Sequence, residues 1–309
     1  MKRTVRGLTV LLCALLLAAC GCGRQAPADD RPSVVVTIFP QYDFIRTIAG
    51  DRVRLSMLAK PGSEVHGYDP TFSEVAGILN ADLFVYIGGE SDNWVETVLN
   101  KAETPVNALA LLPAVDALDE ETVPGMQAEE EDGVQKDEHI WTSPKNAVCI
   151  VEVLCDALCA ILPEEADALR ANADAYIKEL NDLDAQFHDV MKSAARTTVV
   201  FAERFPFRYL CDELGLTYYA ALPGCSSNEE VGLSTIAYLI DRVRDEDLPG
   251  VFYIEFSDRK TANAIAEATG CETWLLHSCH NVSREDFENG VTYLDLMRQN
   301  VESLKKAVN

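Results

Sequence analysis

The chain has no CxxC pair at zinc-ribbon spacing, no HExxH segment, and no serine or cysteine in a recognisable nucleophile elbow. The first absence argues against a thiolate-built structural zinc site. The other two remove the common signatures of a zinc protease and of an elbow-type hydrolase. Basic residues are scarce, with 26 Lys and Arg against 50 Asp and Glu and a net charge of −24. A phosphate backbone would be repelled by that field, so nucleic acid is not an expected partner, whereas small cations are attracted. Histidine is also sparse, with five in 309 residues. Few imidazoles, most of them in loops, draw attention because neutral imidazole is a leading ligand for zinc and its neighbours.

Long apolar runs are lacking too. The run Leu8–Ala19 falls short of the ~20 apolar residues that a membrane span needs. Lys2, Arg3 and Arg6 precede it, and Leu17-Ala18-Ala19-Cys20 closes it. These are the flanks and length of a secretory signal. The closing segment resembles a bacterial lipobox, which implies that Cys20 is lipid-modified and becomes the new N-terminus. Residues 1–19 are then the signal and 20–32 a lipidated, flexible tether. Removing the three basic residues of the signal takes the net charge to −27. An exported protein can form disulfides, and Cys225 and Cys279 are a candidate pair. Cys149, Cys155 and Cys159 recur at helical spacing on an apolar segment and are expected to be buried small hydrophobes.

Beyond the tether, apolar runs alternate with helical patterns. Strands are expected at Val34–Phe39, Val53–Leu58, Leu83–Ile87 and Val106–Ala110, and again at Thr198–Phe201, Thr217–Ala221, Val251–Ile254 and Cys271–Leu276. Helices fall between them, one opened by Thr71-Phe72-Ser73-Glu74 with the spacing of a capping box. The alternation implies an α/β fold of two lobes, each with a four-stranded parallel sheet flanked by helices. Ser143-Pro144 reads as an N-cap and first helical residue. A second helix from Pro163 to about Ala194 has Leu169, Ala173, Tyr176, Leu180 and Leu183 on one face. At ~45 Å it can serve as a rigid spine. The expected divisions are an N-terminal lobe over 33–145, connecting helices over 146–194 and a C-terminal lobe over 195–309. An acidic loop over 116–138 is expected to be mobile and to raise the local concentration of divalent cations.

Ligands in open parallel sheets bind beyond the carboxyl ends of the strands. His66 and His277 follow strands, Glu203 follows the first strand of the second half, and His139 ends the acidic loop. Three imidazoles and a carboxylate make a tetrahedral set suited to zinc. His280 rivals His277, and Glu203 has an alternative as the partner of Arg204 or Arg208. Glu255, also after a strand, could orient a ligating imidazole. His188, on the spine helix, reads as a surface residue.

The segments Pro61-Gly62-Ser63-Glu64-Val65-His66-Gly67-Tyr68-Asp69-Pro70 and Asp137-Glu138-His139-Ile140-Trp141-Thr142-Ser143-Pro144-Lys145-Asn146 resemble the first two ligand motifs of the zinc/manganese solute-binding proteins of ABC importers, the ZnuA/TroA-like group. The resemblance covers nearly the whole mature chain. It implies two α/β lobes joined by a long helix, a metal held in the interlobe cleft, and His66 and His139 as ligands. The second half departs from the family pattern: Glu203 fits with a shift of about one residue, and His277 stands where relatives commonly place an aspartate. That exchange moves the donor set toward nitrogen and favours zinc over manganese. The implied protein is a monomeric, lipid-anchored extracytoplasmic receptor that delivers Zn2+ to a membrane permease and carries out no bond chemistry. Alternatives are a manganese or iron receptor of the same class, a zinc-dependent hydrolase, and a surface adhesin on the same fold.

Overall fold

Val34 and Val36 point to one side of the first strand and Val35 to the other, and all three are buried. This is what a parallel strand covered on both faces requires. The computed structural model describes residues 29–63, 67–127, 135–226 and 230–309. The signal sequence, Cys20 and His66 lie outside the described residues. Pro32–Asn309 forms one compact unit.

Two four-stranded parallel sheets make up that unit. The first contains β1 (Ser33–Val36), β2 (Arg54–Met57), β3 (Leu83–Tyr86) and β4 (Ala108–Ala110), in the order β2-β1-β3-β4. The second contains β5 (Thr198–Phe205), β6 (Thr217–Pro223), β7 (Gly250–Tyr253) and β8 (Glu272–Leu275), in the order β6-β5-β7-β8. The two orders are the same, so each sheet reverses direction of winding beside its first strand. The crevice there is the usual ligand position in such sheets.

The helices are α1 (Phe39–Ala49), α2 (Phe72–Leu79), α3 (Asn93–Leu99), α4 (Pro144–Ile161), α5 (Ala166–Lys192), α6 (Arg208–Leu214), α7 (Leu233–Asp245), α8 (Lys260–Thr269), α9 (Arg284–Glu288) and α10 (Tyr293–Val308). The expected strand β1 stops short because Gln41 Oε1 accepts hydrogen bonds from the Thr37 and Ile38 amides, which turns the chain into α1. Helix α2 has its capping box, with the Thr71 hydroxyl accepting from the Glu74 amide and Glu74 accepting from the Thr71 amide. Helix α9 has no counterpart among the elements expected from sequence.

Helix α5 is the spine. Its buried residues, Leu169, Ala173, Tyr176, Leu180, Leu183, Phe187 and Val190, alternate at four and three positions, which is one face of a helix ~40 Å long. This face packs into a core that also holds Val34, Val36 and Val85 from the first sheet and Val199, Phe201 and Phe252 from the second. The outer face of each sheet has its own apolar cluster, around Phe84 in one and Val200 in the other. A single apolar core therefore ties both sheets to one helix.

The acidic loop is more tied down than its composition suggests. Asp119 pairs antiparallel with Lys136, and the Lys136 ammonium meets the Asp119 carboxylate at 2.6 Å. The Gln127 amide donates to the Ala221 carbonyl, and Met126 is buried. Residues 128–134 of the loop lie outside the described residues. The cysteine pair also differs from expectation: Cys225 and Cys279 are both free thiols.

Candidate metal centre

Helix α4 sets the position of His139. Ser143 caps it by accepting from the Asn146 amide, Pro144 takes the first helical position, and a short 3-10 turn, Ile140–Thr142, precedes the cap. His139 is the residue before that turn and is fully buried. Asp137 Oδ1 accepts from the His139 amide at 2.8 Å and lies 3.1 Å from its Nδ1. An ionised carboxylate can only accept, so it favours the tautomer with the proton on Nδ1 and the lone pair on Nε2. Burial by itself would push the imidazole pKa down. The Asp137 charge and hydrogen bond, with the charges of Glu138 and Glu120 behind them, together outweigh burial and leave the pKa raised.

Residues from the second half close around this ring. The His280 ring stands perpendicular to that of His139, with centroids 5.6 Å apart, and both lie against Trp141. The Trp141 indole donates to the Ser278 carbonyl at 2.8 Å, fastening the β8 loop to the start of α4. Cys279 in that loop has a φ of +62°, in the left-handed region. The His280 carbonyl accepts from the Phe39 amide at the start of α1. The next residue, Asn281, donates from its side-chain amide to the carbonyls of Lys60 and Ser63, both at 2.8 Å. The stem of the loop that carries His66 is thus fastened beside His280.

His277 occupies a different position. Its amide and carbonyl are clamped by the Asn300 side chain from α10, and its Nδ1 accepts from the Cys279 amide at 2.9 Å. Glu255 lies 3.7 Å from that nitrogen and also accepts from the Ser278 amide. Glu203 accepts from the Ser257 hydroxyl and the Ile254 amide. Burial pushes its pKa up, and it lines a cleft with Ile254, Glu255, Phe256 and Asp258. Among the described histidines, the structure brings the rings of His139 and His280 together. Among the described residues, neither His277 nor Glu203 falls in a cluster of metal-ligating atoms with His139.

Two residues not chosen from the sequence do. Glu138, His139 and Cys225 place potential ligand atoms within 4.8 Å of one another. Glu138 is buried, and both its oxygens accept from Ser91, one from the amide at 3.0 Å and one from the hydroxyl. A Cβ on Gly89 would stand 2.3 Å from Glu138 Oε2, so only glycine fits there. Glu138 adjoins His139 in sequence, a signal available but unused. Cys225 was expected in a loop near the site, as a candidate disulfide partner of Cys279 and not as a ligand. A second cluster, Asp184, His188 and Glu213, joins α5 to α6, and Ser143 donates to Glu213 at 2.5 Å. His188 is 43% exposed and so matches its reading as a surface residue, though not an isolated one.

Residues 34–307 match the model of a family described as zinc-uptake complex component A, periplasmic. The chain is 29% identical over 307 residues to the high-affinity zinc uptake system protein ZnuA of Bacillus subtilis, covering 97% of this chain and 96% of that one. It is 30% identical over 302 residues to the zinc-binding lipoprotein AdcA of Streptococcus pneumoniae, covering 96% of this chain. The match spans 60% of the length of that relative. The crystal structure of the Zn(II)-bound ZnuA-like domain of Streptococcus pneumoniae AdcA superposes with a TM-score of 0.75 at 28% identity, covering 90% of this chain and 99% of that one.

Proposed function

We propose that this chain, which belongs to the family of the periplasmic zinc-uptake complex component A, captures Zn2+ outside the cytoplasm and delivers it to the permease of an ABC importer. The observation that carries this reading is the meeting of His139 and His280 from opposite halves of the chain, 5.6 Å apart and both buried. Buried imidazoles with the outer nitrogen of one fixed by a carboxylate are built to hold a cation. His66 joins them on its sequence motif and on the fastening of residues Lys60 and Ser63 to Asn281. His280 takes the place that the sequence reading gave to His277, and Glu203 stays with Ser257 as a structural acceptor.

The protein acts by binding, with no catalytic step. Nitrogen donors favour zinc over manganese. Because α5 shares one core with both sheets, uptake and release proceed through small loop and lobe shifts rather than wide hinge closure. The chain works as a monomer anchored through a lipid on Cys20, and its net charge, −27 without the three basic residues of the signal, keeps nucleic acid away.

The test is metal competition. The stripped chain is offered equal Zn2+, Mn2+ and Fe2+ without oxygen and analysed by elemental mass spectrometry. One zinc per chain, lost in His139→Ala and His280→Ala, is the expected result. Preference for manganese or iron would overturn the zinc assignment, and no bound metal would overturn capture altogether. Fatty-acid labelling that survives Cys20→Ala would remove the anchor.

A further inference from the structure

The turn after β6 is shaped to bring a sulfur to His139. Gly224 lies so close to the imidazole that a Cβ on it would stand 2.8 Å from His139 Cε1 and 3.0 Å from the Phe205 carbonyl. The next residue is Cys225, whose amide donates to Glu120 Oε1 at 3.3 Å. The residue after that, Ser226, is buried and accepts at its carbonyl from Nε of Arg204, itself a buried guanidinium, at 2.8 Å. Cys225 is therefore held from both sides, by the acidic loop and by β5. Its sulfur, a nitrogen of His139 and an oxygen of Glu138 all fall within 4.8 Å. The thiol hydrogen-bonds to Glu138 and is not part of a disulfide.

From this convergence we infer that Cys225 is a direct ligand of the captured metal, joining His139 and His280 in a mixed nitrogen and sulfur site. The inference rests on the zinc-capture reading and adds to it a donor that neither the histidine motifs nor the metal competition would reveal. On binding, the thiol gives up its proton to solvent and the thiolate takes the metal. Glu138, anchored by both oxygens to Ser91, accepts from the thiol and so orients the sulfur before its proton leaves. A thiolate is a softer donor than the carboxylate of the sequence-derived set, so it sharpens discrimination against manganese and favours zinc. Arg204 is a positioning residue in this arrangement, since it fixes Ser226 and not the metal.

X-ray absorption at the zinc edge of the full chain loaded with one equivalent of Zn2+ tests the inference. The expected spectrum has one sulfur at about 2.3 Å besides nitrogen and oxygen at about 2.0–2.1 Å. The sulfur shell should vanish in Cys225→Ser with zinc still bound, and persist in Cys149→Ser, a cysteine on α4. Zinc bound by the unmodified chain with only nitrogen and oxygen neighbours would overturn the thiolate ligand and leave zinc capture standing. A sulfur shell that survives Cys225→Ser would do the same. Failure of the unmodified chain to bind zinc at all would overturn the capture reading and this inference with it. The spectrum of the unmodified chain decides the matter even if the serine variant does not fold.

Discussion

The rings of His139 and His280 meet edge to face at 5.6 Å, although the two residues lie 141 positions apart and precede and follow the whole second sheet. Trp141 touches both. If this pair is the centre of the metal site, His139→Ala and His280→Ala lose zinc affinity by orders of magnitude. His277→Ala loses far less, since its Nδ1 serves the Cys279 amide. Chelator-competition titration of the three variants checks this; equal losses in His277→Ala and His280→Ala would break the assignment.

Asp137 acts on zinc through His139. Its Oδ1 holds both the backbone amide and Nδ1 of that residue. Asp137→Ala is expected to weaken zinc binding by about 10- to 100-fold, the usual cost of losing an outer-shell carboxylate. Asp137→Asn, which keeps an acceptor, should sit at the low end. The same titration reads both, and an unchanged affinity in Asp137→Ala would separate Asp137 from the site.

Gly224→Ala tests the closeness of the β6 turn to the imidazole. Two contacts at or below 3.0 Å, one of them to backbone, leave no room for a methyl group. The variant should fold less stably by about 1–3 kcal/mol and bind zinc more weakly than the parent. Urea unfolding gives the first quantity and competition titration the second.

Asp92 makes stability depend on pH. Its carboxylate accepts from the Ile87 and Gly88 amides, but burial dominates and raises its pKa from 3.8 to about 6, with the Glu138 charge adding to the effect. A folded pKa above the unfolded one means that the native state binds more protons, so stability falls as pH rises. The contribution is fully present below about 4 and is lost as pH climbs through about 6. The loss amounts to at most roughly 3 kcal/mol. Asp92→Asn keeps the acceptor without the charge, so it should flatten this slope and equal or exceed the parent at neutral pH. Urea unfolding of the zinc-free proteins at several pH values between 4 and 7 is the measurement; parallel curves would refute it.

Zinc itself should stabilise the fold by mass action. At a free zinc concentration one thousand times the dissociation constant the gain is about 4 kcal/mol. Thermal unfolding with and without a chelator should show a clear upward shift for the parent and none for the His139→Ala variant.

Much of the fold was legible because periodicity is local. All eight expected strands are present, and the spine helix follows from Leu169, Ala173, Tyr176, Leu180 and Leu183 alone. Even the cap at Ser143 and the capping box at Thr71 could be read from side chains a few residues apart. In the acidic loop, composition could not indicate that Gln127 reaches Ala221 and Glu230 of the second half.

The sequence by itself determined the class of the protein: acidic, α/β in two halves, with imidazoles in loops and two motifs that name the family. Only the tertiary structure decided which second-half histidine faces His139. The three residues between His277 and His280 are too few for periodicity to separate. A clamp from Asn300 holds the backbone of one, and the indole of Trp141 packs against the ring of the other. It also decided that Cys225 reaches the same place, because a glycine one residue earlier lets the backbone lie against the ring. Such convergence depends on packing between residues far apart in the chain, which no local pattern encodes.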